Sequence, residues 1–128
     1  MPASHAPAID AMAFQLAAAL ERYGQDAGRM ADTWLDMELY RSVSDQVEQI
    51  RMYSSALPQL SVQWVELLIA HAELVHSLWR ARFREGEGDA ALLFEVRERH
   101  AACVEGLRQR CLRFLSREDR SPGPRQSA

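Results

Sequence analysis

The stretch from Leu60 to Trp79, LSVQWVELLIAHAELVHSLW, constrains this chain more than any other. Leu60, Trp64, Leu67, Leu74 and Leu78 recur at fours and threes once His71 is counted in its place, which lines up one face of a helix. Val65, Leu68, Ala72, Val75 and Trp79 widen that face to more than half of the circumference. A helix that apolar has to be covered on several sides. It is therefore expected to be the central member of a helical bundle, covered either by other helices of the chain or by a second copy.

The remaining segments read as helices of similar length. Ile9, Met12, Ala13, Leu16, Leu20 and Tyr23 recur at helical spacing, followed by Ala27, Met30, Trp34 and Met37 without loss of phase. Gly24 and Gly28 can each end a helix, and Thr33 with Asp36 three residues on resembles a capping box. A turn within residues 24–32 is preferred over one long helix reaching Ala56, because it yields helices of matched length. Trp34, Met37, Tyr40, Val43, Val47, Ile50 and Tyr53 mark the second helix, which Leu57-Pro58 ends. After the REGEGD break, with Asp89 as a cap, Leu93, Val96, Cys103, Val104, Leu107, Cys111 and Phe114 mark the fourth. The expected fold is thus all-α, an up-and-down four-helix bundle with helices at about 8–28, 33–56, 60–85 and 89–116, open to completion by dimerisation. One domain, 8–116, lies between a disordered lead, 1–7, and a Pro/Gly/Ser-rich disordered tail, 117–128.

Charge excludes little. All 15 basic residues are arginine, which reads as a GC-rich, bacterial coding bias, and the net charge is −3. Glu95, Glu98 and Glu105 interleave with Arg97, Arg99 and Arg108, as on a solvated face laced with ion pairs rather than a phosphate-binding stripe. No nucleic-acid partner is expected. Gln63, Glu66, His71, Glu73 and His76 make the central helix too polar to span a bilayer. Cys103 and Cys111 stand two turns apart on one helix and cannot pair within it, and no secretory leader is legible, so a cytoplasmic location is expected.

Chemistry-bearing groups are few. His71 and His100 sit in the middle of apolar stripes, and a hairpin about Glu87 brings them within a turn of each other and of Cys103. His71, His100 and Cys103 are accordingly the candidate metal ligands, against a simpler reading in which both histidines are neutral core residues. Glu73-x-x-His76 has the spacing of carboxylate-bridged di-iron bundles, but it points to solvent and lacks its second copy. Both cysteines lie among apolar neighbours, which makes a thiol inert. Lysine is absent, and no phosphate loop or nucleophile elbow is present.

No enzymatic activity and no cofactor are expected. The favoured function is protein–protein interaction, adaptor- or chaperone-like, with another protein or itself as a homodimer. Its contact residues would be Trp34, Tyr40 and Trp79, aromatic side chains of the kind enriched at binding hot spots. The alternatives are a metal- or small-ligand-binding bundle using His71, His100 and Cys103, and an amphipathic coat on a granule or membrane surface.

Overall fold

The computed structural model describes the backbone of residues 2–83 and 87–120 and the side chains of 8–83 and 90–115. The chain is an all-α up-and-down bundle of four helices, α1 (Pro2–Asp32), α2 (Met37–Ser55), α3 (Ser61–Phe83) and α4 (Glu87–Arg120), with a 3-10 turn at Pro58–Leu60. Among the described residues there is no strand.

Consecutive helices pack as antiparallel neighbours, and α4 closes back on α1. The seams α1–α2, α1–α4 and α3–α4 are extensive, whereas α2 and α3 meet at few points. Consequently α1 and α4, and not α3, are the two helices that each share two extensive seams. Ala13, Leu16, Ala17, Leu20, Tyr23, Ala27 and Met30 are all buried, along one unbroken stripe. The small residues of α1 are the physical reason, since they let two neighbours come close.

The same residues correct the expected turn at 24–32. α1 runs through Gly24 and Gly28 to Asp32, and neither glycine adopts a positive φ. Gly24 instead faces α4, where a Cβ would lie 3.3 Å from Val104 Cγ1. Glycine here serves helix–helix approach rather than chain reversal. Arg97 of α4 holds the end of α1, with Nη1 3.0 Å from Asp32 and Nη2 donating to the Gly28 carbonyl at 3.4 Å.

The chain reverses over Thr33–Asp36. Thr33 belongs to the end of α1, its backbone N–H and its hydroxyl both donating to the Arg29 carbonyl at 2.9 and 2.7 Å. Asp36 caps α2 by accepting from the Leu39 N–H at 3.2 Å, so the cap falls three residues later than Thr33 suggested. Across the first seam, Gln46 donates to Asp26 at 2.8 Å.

The outer ends also differ from expectation. α1 begins at Pro2, within the stretch expected as a lead, which a proline in the first turn permits because its missing N–H is unpaired there anyway. α4 begins at Glu87, so Asp89 lies inside the helix instead of capping it, and it continues to Arg120. The rest of the expected tail, 121–128, and positions 84–86 of the expected break lie outside the described residues.

Candidate functional site

Three helices each contribute one polar side chain to the same level of the core. Tyr23 of α1 follows Leu16 and Leu20 on the buried stripe, His71 lies among Leu67, Leu74 and Leu78 of α3, and His100 lies between Val96 and Val104 of α4. The Tyr23 hydroxyl is 2.7 Å from His71 Nδ1 and 2.7 Å from His100 Nε2. The rings stand 5.9 and 5.5 Å apart, and the two imidazoles 6.4 Å from each other.

A phenol has one proton, so it donates to one imidazole and accepts an N–H from the other. With all three groups neutral both bonds are satisfied, and protonating the imidazole nitrogen that accepts from the hydroxyl would break its bond. Burial, with Cys103 adding to it, pushes the Tyr23 phenol far above its ordinary range. Burial lowers His71, and burial together with the neighbouring His71 lowers His100 to about 4. The triad is a neutral network that ties α1, α3 and α4 together at one level. Sequence reasoning found both histidines but missed Tyr23. The signal was available: a tyrosine in phase with a buried stripe needs a hydroxyl partner, and two core histidines need one as well.

Of the candidate metal ligands, the structure therefore brings His71 and His100 together, with their facing nitrogens taken up by Tyr23. Cys103 lines a different feature, a shallow groove between α3 and α4 shared with Glu66, Glu73, Arg99 and Arg110. Burial and then the charges of Glu66 and Glu73 raise its thiol pKa, with Arg99 opposing. Among the described residues no three His, Cys, Asp or Glu side chains are grouped so as to hold a metal ion. Cys111 is fully buried, and burial pushes its thiol up to about 11. Glu73 and His76 are both exposed, and Glu73 stands 3.9 Å from Arg99.

The three candidate contact residues do form one cluster, at the end of the bundle where the α1–α2 connection meets the end of α3. Trp34 packs edge-on against Tyr40 at 5.9 Å and against Trp79 at 5.1 Å. Trp79 in turn stacks on Phe83 at 5.8 Å. Phe83, one turn beyond Trp79 and 72% exposed, was not singled out from the sequence. The Trp34 indole N–H is buried without an acceptor.

This cluster continues onto the outer face of α3. Val62, Val65, Leu68 and Ile69 are exposed there by 41% or more, and of these Val65 and Leu68 belong to the face that the sequence expects other helices or a second copy to cover. Among the described residues the other helices pack on the opposite side of α3, and α2 scarcely reaches it.

A separate groove of about 570 Å³ runs between α1 and α4. Gly24, Gly28 and Ala101 line it, His100 and Leu74 are reached at its floor, and Glu98 and Arg108 are among the charged groups beside it. It owes its depth to the small residues that bring α1 and α4 together. No helix among the described residues is long and apolar enough to cross a membrane.

No family model, curated protein or solved structure matches the chain. The functional reading thus rests on the side chains themselves.

Proposed function

We propose that this chain is a non-enzymatic, adaptor- or chaperone-like bundle that works by binding another protein through the outer face of α3 and the adjoining aromatic end. One observation carries the reading: Val62, Val65, Leu68, Ile69 and Phe83, five large apolar side chains of a single helix, are all exposed. Scattered apolar residues on a surface are ordinary, but a contiguous face of this kind marks an interaction site. Trp34, Tyr40 and Trp79 extend the face with aromatic groups. The polar groups in the core support the same reading, because Tyr23 takes up one nitrogen of each imidazole and both thiols are raised.

The test uses immobilised full-length chain and lysate of the source cells, comparing the native protein with Ile69→Glu. Proteins retained by the native chain and lost with the variant, at unchanged helicity by circular dichroism, are the expected result. Equal retention by both would overturn it.

A second reading, a small-ligand bundle, is favoured by the groove between α1 and α4, whose floor reaches the buried His100. Pockets of a few hundred Å³ with apolar walls and one or two polar groups are of the kind that hold small molecules. Mass spectrometry of the native protein would reveal a co-purifying ligand, and metal analysis on the same sample tests the variant of this reading that uses His71, His100 and Cys103. A ligand-free, metal-free preparation counts against both.

A further inference from the structure

We propose that the outer face of α3 packs against the same face of a second copy, antiparallel, about a two-fold axis close to Glu73. This rests on the interaction reading above and names the partner. The face carries a second stripe, distinct from the buried one: Val62, Val65, Ile69, Ala72, His76, Trp79 and Phe83, at alternating steps of three and four. Such a mean spacing of 3.5 is that of a coiled-coil seam, in which side chains of one helix fill the gaps of the other. Val62, Ile69 and Phe83 are each more than half exposed.

What flanks the seam selects the partner and the direction. On one edge stand Glu66, Glu73 and Arg80, at intervals of seven, and on the other Ser61, Leu68, Val75 and Arg82, apolar at its middle. A parallel pairing sets one edge against the other, which places the charges of Glu73 and Arg80 over Leu68 and Val75. An antiparallel pairing sets like edge against like edge. Val75 then meets Val75 of the copy, Leu68 lies along the aliphatic stem of the copy's Arg82, and Glu66 of each copy comes beside Arg80 of the other. This complementarity uses only the charge of Arg80, which keeps contacts of its own within the chain. Glu73 falls on the axis near its own image, where Arg99 of the same chain offsets it.

The sizes agree with this direction. With the axis near Glu73, Val65 meets Phe83 of the copy, Ile69 meets Trp79, and Ala72 meets His76, so that the bulkier end of each seam fills the slimmer end of the other. The stripe spans 22 residues, about 33 Å of helix, and the aromatic end adds Trp34 and Tyr40 alongside. That is a long contact for two small chains.

Sedimentation velocity on the full chain between micromolar and 100 micromolar concentrations tests this, with single-cysteine additions made beside an unsubstituted control that carries Cys103 and Cys111. A dimer is expected, weakened about 30-fold or more by Ile69→Glu while helicity is unchanged. Under oxidation Glu73→Cys should cross-link and Val62→Cys should not, since the two Val62 positions lie roughly 36 Å apart along the seam. Cross-linking at Val62, or a dimer indifferent to Ile69→Glu, would overturn the proposal. A monomer throughout the range would overturn it as well. If that monomer still captures a protein or phosphatidylcholine vesicles, and Ile69→Glu abolishes the capture, the face binds something other than its copy and only the pairing is lost. A monomer that captures nothing removes the interaction reading with it.

Discussion

Protonating His100 should destabilise the fold, and the size of the effect can be worked out in advance. His100 is 5% exposed, its Nε2 is held by the Tyr23 hydroxyl, and burial with the nearby His71 lowers it from 6.5 to about 4. In the unfolded chain the same imidazole titrates near 6.5. Between those values the unfolded state binds the proton and the folded state does not. Stability from this group is therefore complete above about pH 6.5, falls as the pH drops, and is lost once the pH passes about 4. The gap corresponds to about 3 kcal/mol, a large share of a typical domain's stability. His71, lowered in the same direction by burial, adds to it. Urea denaturation followed by circular dichroism from pH 8 to pH 4.5 measures the slope. A His100→Gln variant supplies the comparison, because carboxylates that also titrate at the acid end are common to both proteins. The native chain should lose about 2–3 kcal/mol more than the variant over that range. Equal slopes would show that His100 is either accessible to protons in the folded state or not held in the core as described.

Three further outcomes follow from the packing. Tyr23→Phe removes the group that satisfies both imidazoles, and chemical denaturation should show a loss of about 1–3 kcal/mol. The two glycines of α1 should respond oppositely to added bulk: Gly28→Ala, with nothing within 4 Å of its new Cβ, should raise stability by about 0.5–1 kcal/mol, whereas Gly24→Leu should lower it by about 1–3 kcal/mol because Val104 stands 3.3 Å from the first added carbon. Thermal melts of the pair would refute the close α1–α4 seam if both variants gained. With Ellman's reagent at pH 8, Cys103 should react before the buried Cys111, and equal rates would contradict the burial that separates them.

Most of the fold was legible because the buried faces of its helices obey one period. Val43, Val47 and Ile50 of α2, and Leu67, Leu74 and Leu78 of α3, are buried as their spacing required. The course of α1 was not, for a physical reason: glycine permits both a turn and a close helix contact, and only the presence of Val104 across the seam decides between them at Gly24. The Thr33 and Asp36 pair was ambiguous in the same way, each being able to end or begin a helix, and the hydrogen bonds to Arg29 and from Leu39 assign one role to each. At the core, the pairing of His71 with His100 could be anticipated from the α3–α4 hairpin, but Tyr23 lies 48 residues from the nearer histidine and had to be found by matching unsatisfied polar groups. The exposure of Val62, Val65 and Ile69 was hidden for another reason. Periodicity identifies an apolar face without saying whether the chain has a helix left to cover it.

The Tyr23–His71–His100 tie also decides which way the helices can slide. Leu, Ala and Val stripes tolerate a shift of one turn with modest loss, since one aliphatic side chain fills another's place. A one-turn slip moves a helix by about 5.4 Å, twice the length of either hydrogen bond in the triad, and would leave a phenol and two imidazoles stranded in hydrocarbon. Longitudinal alignment of α1, α3 and α4 is thereby locked at one level, like a pin through three rods. The pin misses α2, whose hold on the rest is largely through α1. When this bundle breathes, α2 should lift away first, and its amides should exchange with solvent well before those around the pin.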